Sequence, residues 1–462
     1  MRRGRFWILL CAMAVALSIA PGVARAHGPQ AVKRPNILFV LTDDQRWDTI
    51  AALGNHQIKT PNLDRLVERG FVFSNAYCMG SMVGAVCLPS RTMIATGRSL
   101  WRIPEGRSAT APPGVPVLAR VFNEAGYATF HCGKAGNACT FANAEFQTNI
   151  ATKGPRTPLD AKVHTDRVIE FLEKHDGGRP FFVYLAPPVP HDPRIAPAEY
   201  MAMYDPAKVS LSKNFLPEHP FDNGELRIRD ELLAPFPRTP EVMRQHLAEY
   251  YALITYFDAQ FGRLIDALGQ RGWADRTIVV FSSDQGLAVG GRHGLMGKQN
   301  LYEHVKPPLV FAGPGIPRGR SDALVYLFDL FPTFCDLAGL KTPEQVEGKS
   351  LLPVIFGQQP KVRDWLLGAY RDCQRMVRDE RWKLIRYNAG GVKNSQLFDL
   401  AADPWEIRNL AADPQHREQL ARMERLLAKA RAEFGDPVDF ENVRPKTPPE
   451  KPKAAKKGKR RG

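Results

Sequence analysis

Short apolar runs recur along the chain, and each run stops abruptly at polar, proline or glycine residues. A continuous run of this length is typical of a strand that is buried on both faces of a parallel sheet. The runs that we expect to form such strands cover residues 36–41, 127–131, 180–185, 277–281 and 308–311.

Several stretches between these runs carry apolar residues at steps of three and four, which predicts helices with one buried face. These stretches cover residues 60–66 and onward, 117–125, 165–174 and 241–268. Alternating strands and helices predict a doubly wound α/β sheet. From about residue 360 the strand patterns become shorter, at 382–387 and 396–400, and a helix pattern follows at 417–434. This change predicts a smaller α+β C-terminal domain.

Six polar residues follow the predicted strands, although they are far apart in the sequence. Ligands of α/β sheets bind beyond the carboxyl ends of the strands, so we expect these side chains to meet at one edge of the sheet. The six residues are Asp43, Asp44, Lys134, His191, Asp284 and Gln285.

The acidic pairs in this set suggest a metal site. Two adjacent carboxylates after a buried strand repel each other, and a bound cation is the simplest compensation. Asp43 and Asp44 with Asp284 and Gln285 offer oxygen donors alone, which suit a hard ion such as Ca²⁺ or Mg²⁺. Loop aspartates can instead cap a helix, so the pairs alone leave both interpretations open.

Composition and charge narrow the class of protein. The chain has 462 residues, of which 44% are hydrophobic and 24% charged. This ordinary globular composition excludes disordered, collagenous and coiled-coil proteins. Much of the net charge of +15 lies in residues 1–26 and 446–462, and the chain between them is near neutral. A nucleic-acid partner is therefore not expected.

The N-terminus has the pattern of an export signal. Arginines precede an apolar run, and the small-residue site Ala24-Arg25-Ala26 follows it. The run is shorter than the ~20 residues of a membrane span, so we expect a cleaved signal peptide, with an uncleaved anchor as the alternative. The mature protein is predicted to have no transmembrane segment and to be periplasmic or secreted.

One of the cysteines stands out. No C-x-x-C pair exists, which argues against a zinc knuckle or a thioredoxin-type site. Cys132 and Cys139 are near enough in sequence to pair in an oxidising compartment.

Cys87 precedes Pro89 and Arg91, and thus places a small nucleophile beside a proline-fixed turn and an arginine that can bind an oxyanion. A buried structural cysteine is the alternative.

The segment Cys87-x-Pro89-Ser90-Arg91, followed by Thr96-Gly97-Arg98, resembles the signature of type I sulfatases of the alkaline phosphatase superfamily. The resemblance covers most of the mature chain and implies a large mixed, mostly parallel sheet flanked by helices, with a smaller α+β C-terminal domain. The other matching segments are Arg34-Pro35-Asn36-Ile37-Leu38, Asp43-Asp44, Thr60-Pro61-Asn62-Leu63-Asp64, Ser283-Asp284-Gln285-Gly286, His293-Gly294-Leu295 with Lys298, Tyr302-Glu303, and Leu397-Phe398-Asp399-Leu400 with Asp403-Pro404, Glu406 and Asn409-Leu410.

The resemblance implies that a formylglycine-generating enzyme converts Cys87 to Cα-formylglycine. One hydroxyl of the hydrated aldehyde attacks sulfur, the alcohol leaves, and a covalent sulfate ester forms on the enzyme. The second hydroxyl is then deprotonated, and sulfate departs as the aldehyde is regenerated. It further implies a metal site, usually filled by Ca²⁺ and with Mg²⁺ as a substitute, whose ligands are Asp43, Asp44, residue 87, Asp284 and Gln285.

The resemblance also implies roles for four basic side chains. Arg91 would hold the formylglycine and the metal carboxylates in place. Lys134 and Lys298 match lysines that contact sulfate oxygens. His191 matches the histidine that protonates the leaving alcohol.

One departure from the family pattern concerns the second step of the reaction. Many relatives carry a histidine shortly after the lysine that corresponds to Lys134, and this histidine assists the elimination. Here that segment continues with Gly136 and Asn137. Asn137 or His131 are the candidate replacements, although asparagine cannot accept a proton at neutral pH.

These observations predict a sulfuric ester hydrolase that acts on a sulfated carbohydrate or an aryl sulfate. The alternatives are a phosphonate or phosphate diester hydrolase of the same superfamily and a catalytically impaired sulfated-glycan-binding protein. Arg227, Arg229 and Arg238 are candidates for binding a second sulfate or a carboxylate. The predicted organisation is a signal peptide at 1–26, a sulfatase catalytic domain at 27–359, a C-terminal subdomain at 360–445 and a basic disordered tail at 446–462.

Overall fold

The computed structural model describes residues 34–154 and 156–442. The predicted signal peptide at 1–26 and the predicted basic tail at 446–462 lie outside the described residues. Within the described part of the chain, no helix is long and apolar enough to cross a bilayer.

The strands form two sheets. The larger sheet has the order β5-β4-β6-β1-β7-β8-β2-β9, and the smaller one has the order β13-β12-β11-β10-β3. The strands are β1 (Asn36–Thr42), β2 (Phe71–Tyr77), β3 (Gly80–Ser81), β4 (Ala128–Lys134), β5 (Thr148–Thr152), β6 (Phe181–Ala186), β7 (Thr277–Ser283), β8 (Leu309–Ala312), β9 (Gly319–Tyr326), β10 (Leu366–Tyr370), β11 (Gln374–Arg378), β12 (Trp382–Ala389) and β13 (Val392–Asp399).

Helices pack around these sheets and connect their strands. The helices are α1 (Pro61–Arg69), α2 (Cys87–Thr96), α3 (Leu118–Glu124), α4 (Thr140–Ala144), α5 (Asp160–Lys174), α6 (Ala198–Met201), α7 (Pro240–Gln270), α8 (Leu330–Leu337), α9 (Leu352–Ile355) and α10 (Arg417–Phe434).

The larger sheet is mixed and mostly parallel, as predicted. Strand β1 is buried at every position and runs parallel to β6 on one side and β7 on the other. Among the described strands of this sheet, β8 alone runs antiparallel to its neighbours, β7 and β2. Aromatic residues attach helices to both faces: Phe257 and Phe261 of α7 pack on Phe281, and Phe334 of α8 packs on Phe39. The predicted α/β class is therefore confirmed.

Some elements differ from the prediction. Strand β4 does not end at His131 but continues to Lys134, because Cys132 and Gly133 pair with β6. Strands β2, β5 and β9 of the larger sheet were not predicted. Strand β5 lies at the sheet edge and its residues are exposed or half-buried, which leaves no apolar run to reveal it. The predicted pairing of Cys132 with Cys139 is wrong, because both are buried free thiols.

The smaller α+β C-terminal domain is confirmed, although β10 and β11 were not predicted. Strands β10 to β13 form an antiparallel meander, and α10 packs on it through the buried residues Met423, Leu427 and Ala430. Strand β3, which lies far earlier in the chain, joins this sheet parallel to β10. The C-terminal sheet is thereby bonded to the segment that leads into α2.

We expect Gly80→Ala to weaken this connection. Gly80 has φ of 114°, and a Cβ there would lie 1.8 Å from the carbonyl oxygen of Ala369. The substitution should lower the free energy of unfolding by about 2 kcal/mol or more, measured by guanidinium denaturation. Gly84→Ala is the matched control, because a Cβ at Gly84 meets no described atom within 4 Å. Equal stability of the two variants would contradict this view of β3.

Candidate active site

Polar residues from distant parts of the chain meet at the carboxyl edge of the larger sheet. Asp43 and Asp44 follow β1, Asp284 follows β7, and Cys87 begins α2. One ligand atom from each of these residues lies within 4.8 Å of the others, and all four side chains are buried. We call Asp43, Asp44, Cys87 and Asp284 the acidic cluster.

Backbone hydrogen bonds hold the acidic cluster across the sheet. The N–H of Asp284 donates to the carbonyl of Thr42 at 3.1 Å, and the N–H of Asp44 donates to Oδ1 of Asp284 at 3.1 Å. The N–H of Asp43 donates to the carbonyl of Val189 at 2.8 Å. The loops after β1, β6 and β7 therefore fix one another, as expected for neighbouring parallel strands.

Cys87 lies at the buried start of α2. Its Sγ is 3.3 Å from Oδ1 of Asp43, 3.3 Å from Nε2 of Gln285 and 3.5 Å from Nζ of Lys298. Burial, followed by the charges of Asp284 and Asp43, raises the pKa of the thiol far above its ordinary value. The thiol therefore stays protonated at neutral pH, and a protonated thiol is a poor nucleophile.

Three cationic side chains point at the carboxylates of the cluster. Nε of Arg91 donates to Oδ2 of Asp284 at 2.9 Å, and Nζ of Lys298 donates to Oδ2 of Asp44 at 2.8 Å. Nζ of Lys134 donates to Oδ2 of Asp43. The structure thus brings together the basic residues that the sequence placed on three separate segments.

His191 faces the same cluster from the loop after β6. Its Nδ1 lies 2.7 Å from the carbonyl oxygen of Asp192, and its Nε2 lies 3.7 Å from Oδ2 of Asp44. Burial and then the charge of Lys298 lower the pKa of His191, whereas Asp44 acts in the opposite direction. The carbonyl of Asp192 orients the ring so that Nε2 points to the cluster.

The carboxyl groups of the cluster differ in acidity. Burial alone would raise the pKa of Asp43, but the charges of Lys134, His191, Arg91 and Lys298 outweigh burial and hold that pKa well below its usual value. Burial and the charge of Asp43 raise the pKa of Asp284 to about 6, despite Arg91. Crowded like charges of this kind are what a bound cation relieves.

The residues present fit a hard divalent cation. The carboxylates of the cluster supply oxygen donors, and Gln285 adds an amide beside them. The Oε1 atom of Gln285 is buried and has no hydrogen-bond partner within the described part of the chain. The amide nitrogen Nε2 faces Asp44 and Cys87, and rotation of the amide group would present Oε1 to the cluster instead. Three carboxylates with such an amide oxygen form a donor set that suits Ca²⁺ or Mg²⁺.

The two candidate replacements for the missing histidine lie elsewhere. Nδ1 of His131 is 2.8 Å from Oδ1 of Asn149, its ring packs against Phe146, and burial lowers its pKa to about 4. Oδ1 of Asn137 accepts from Nη2 of Arg107 at 3.1 Å. Within residues 34–154 and 156–442, neither of these two side chains hydrogen-bonds to the acidic cluster.

The three loop arginines also differ from one another. Arg238 is buried and paired with Glu231 at 2.7 Å, so it is not available to an external anion. The prediction that Arg238 binds a second sulfate or a carboxylate is therefore wrong. Arg229 is exposed but paired with Asp192. Arg227 is exposed, and its guanidinium lies 5.5 Å from the ring centre of Phe236.

Sequence reasoning missed two residues of the site. Nη2 of Arg156 lies 3.6 Å from Oδ2 of Asp43. The hydroxyl of Tyr250 in α7 donates to the carbonyl of Asp44 at 2.6 Å and accepts from the N–H of Arg46 at 2.9 Å. Arg156 follows β5, and polar residues after parallel strands are expected at the carboxyl edge of the sheet. A prediction of β5 would therefore have identified Arg156 as a candidate. Tyr250 gave no sequence signal beyond its place on an apolar helix face.

We expect Tyr250→Phe to loosen the metal site. Asp44 has φ of 70°, a conformation unusual for a residue with a side chain, and the Tyr250 hydroxyl bonds to the two peptide groups that follow it, through the carbonyl of Asp44 and the N–H of Arg46. The variant should lose about 1–3 kcal/mol of unfolding free energy and bind Ca²⁺ more weakly in a calorimetric titration. Tyr251→Phe removes a neighbouring hydroxyl that bonds to Asn55 instead, and should leave Ca²⁺ affinity unchanged. The same affinity in both variants would contradict the assignment.

Comparisons with known proteins agree with this geometry. The family model described as Sulfatase matches residues 35–340, and the model described as N-sulphoglucosamine sulphohydrolase, C-terminal, matches residues 291–433. N-acetylglucosamine-6-O-sulfatase of Bacteroides thetaiotaomicron is 25% identical and covers 92% of this chain and 92% of its own.

Two solved structures share the fold. One is a complex with its substrate D-glucosamine-2-N,6-O-disulfate, with a TM-score of 0.73, 23% identity and coverage of 89% of this chain and 100% of that chain. The other is the phosphonate monoester hydrolase of Agrobacterium radiobacter, with a TM-score of 0.73, 23% identity and coverage of 87% and 96%. Together with the family match over most of the chain, the buried acidic cluster and its cations identify this chain as a member of the sulfatase family and a sulfatase enzyme.

Proposed function

We propose that this enzyme hydrolyses sulfate esters of carbohydrates, with residue 87 acting as the nucleophile after its conversion from cysteine to Cα-formylglycine. The position of Cys87 carries the proposal, because it begins α2 between three carboxylates and the ammonium group of Lys298. Its raised thiol pKa argues against direct thiolate attack. A hydroxyl of the hydrated aldehyde removes this difficulty, since it attacks sulfur from the same position.

Asp43, Asp44, Asp284, Gln285 and residue 87 would hold Ca²⁺, with Mg²⁺ as a substitute. A cation bound there supplies positive charge to the nucleophile and to the sulfate oxygens. Arg91 keeps the Asp284 carboxylate in position through its bond from Nε, and Ser90 donates to the backbone carbonyl of the same aspartate at 2.6 Å. Two residues of α2 therefore orient Asp284, one of the proposed metal ligands.

Lys134 and Lys298 would bind the sulfate oxygens from two sides. Both ammonium groups contact carboxylates of the acidic cluster and are nearly buried, so water screens their charge little. Nδ1–H of His191 donates to the carbonyl of Asp192, so Nε2 carries a proton for the leaving alcohol when the ring is in its imidazolium form. This proton transfer matters most for sugar alcohols, because they are poor leaving groups.

The similarity to N-acetylglucosamine-6-O-sulfatase supports a sulfated carbohydrate as the substrate. The predicted signal peptide supports a periplasmic or secreted enzyme, which meets such polymers outside the cytoplasm. A formylglycine-generating enzyme would act on Cys87 during maturation. The basic tail at 446–462 would hold the enzyme near polyanionic glycans by charge.

The sulfatase chemistry can be tested by combining turnover with mass spectrometry of the peptide that contains residue 87. The enzyme should hydrolyse 4-nitrophenyl sulfate and sulfated glucosamine faster than a phenylphosphonate monoester, and its activity should scale with the fraction of formylglycine. Cys87→Ala should lose all turnover because it lacks the nucleophile. Cys335→Ala, which removes a buried free thiol from α8, should retain it.

Two results would contradict the proposal. Full activity with an unmodified Cys87 thiol would exclude the formylglycine mechanism. Preferred hydrolysis of the phosphonate monoester would favour the phosphonate hydrolase alternative.

Removal of the metal should reduce both activity and stability. Chelation should abolish sulfate ester turnover, and re-addition of Ca²⁺ at 100 times its dissociation constant should restore it and stabilise the fold by about 2.7 kcal/mol. In the wild type this stabilisation should appear as a rise in melting temperature when Ca²⁺ is added, and Asp284→Ala should lose that rise. Asp275→Ala, which changes an exposed aspartate just ahead of β7, should keep it. A metal-free protein with full activity would refute the metal assignment.

A further inference from the structure

Arg156 occupies a place in the fold that brings it to the acidic cluster. It follows β5, and the last residue of β5, Thr152, pairs with Lys134 at the end of β4. Oγ1 of Thr152 lies 2.8 Å from Nε2 of His164 in α5, which anchors the strand end to the helix that follows. The end of β5, after which Arg156 follows, is therefore held at the carboxyl edge, next to Lys134.

The contact of Arg156 with the cluster leaves its hydrogen-bond donors available. Its Nη2 lies 3.6 Å from Oδ2 of Asp43, which is the oxygen that Lys134 contacts as well. A separation of 3.6 Å is too long for a hydrogen bond. Within the described residues, the carboxylate of Asp43 is the ion-pair partner of this guanidinium.

The basic residues of the site also differ in exposure. The side chain of Arg156 is 20% exposed, compared with 8% for Lys134 and 4% for Lys298. Arg91 and Lys298 are committed to Asp284 and Asp44 by short hydrogen bonds. Arg156 is therefore the cation that an entering anion can reach most easily.

The segment after Lys134 leaves room beside it. Gly136 has no side chain, and a Cβ placed there would meet no described atom within 4 Å. Asn137, with φ of 52°, accepts a hydrogen bond from Arg107. Neither residue supplies a charge next to Lys134, whereas Arg156 does so from the neighbouring connection.

We propose that Arg156 is a substrate-binding residue that, together with Lys134, holds the oxygens of the sulfate group. A planar guanidinium can donate two parallel hydrogen bonds to two oxygens of one tetrahedral anion, which a lysine ammonium does with less geometric specificity. The identity of the anion as sulfate rests on the proposed function. Because free sulfate carries more negative charge than a sulfate monoester, Arg156 should bind the product sulfate more tightly than the sulfate group of the substrate.

The test compares Arg156→Gln and Arg156→Lys with Arg263→Gln in the Ca²⁺-loaded enzyme. Arg263 in α7 is a matched control, because it is a partly exposed arginine paired with an aspartate, Asp166. Inhibition by inorganic sulfate, kcat and KM for 4-nitrophenyl sulfate, and calorimetric Ca²⁺ affinity are measured for each.

Arg156→Gln should raise the inhibition constant for sulfate about tenfold or more, since charge-assisted hydrogen bonds are lost. Arg156→Lys should recover part of the loss, and Arg263→Gln should show none. Affinity for Ca²⁺ should stay equal or increase in Arg156→Gln, because a positive charge near Asp43 has been removed.

Two outcomes would overturn the proposal. Unchanged sulfate inhibition and unchanged kcat/KM in Arg156→Gln would show that the residue does not touch the substrate. A fall in Ca²⁺ affinity that matches the fall in activity would show that Arg156 only positions Asp43. If the wild type hydrolysed no sulfate ester, the proposed function would fail, and calorimetric titration with inorganic sulfate and phosphate would still decide whether Arg156 binds a tetrahedral anion.

Discussion

Three carboxylates buried side by side are the constraint on which the carboxyl edge of the sheet depends. Asp43, Asp44 and Asp284 place oxygen atoms within 4.8 Å of one another, and none of them is open to water. Repulsion between like charges is strong in an interior of low dielectric constant, so the fold must bring positive charge to the same point. It does so with basic side chains from α2, the end of β4, and the segments after β5 and β7.

A second buried ion network lies behind the first and supports it. Arg292 bonds to Glu303 at 2.7 Å and also to Asp48, and Nη1 of Arg46 donates to the carbonyl of Leu287 at 3.0 Å. These contacts connect the loop after β1 with the long segment that follows β7. The same segment carries Lys298, whose ammonium group is held by Asp44 before any substrate arrives. Preorganised charge of this kind costs no reorganisation during the reaction.

Exposure divides the basic residues of the site into two groups. Arg91 and Lys298 are almost fully enclosed and pair with Asp284 and Asp44. Lys134 and Arg156 are more accessible and converge on one oxygen of Asp43. An anion that enters from solvent therefore meets positive charge first, although the cluster behind it is acidic.

The sequence alone determined the α/β class and most central elements, because strands buried on both faces leave continuous apolar runs and α7 leaves a clear helical period. It also singled out Asp43, Cys87 and Asp284 by their motifs, and the structure brings all three together. Strand β5 escaped prediction because an exposed edge strand needs no apolar run, and Arg156 was missed with it. Which side chains meet depended on strand order and register, and these follow from long-range pairing that no local pattern encodes. Only the tertiary structure could therefore place Tyr250 under Asp44 and keep His131 apart from the cluster.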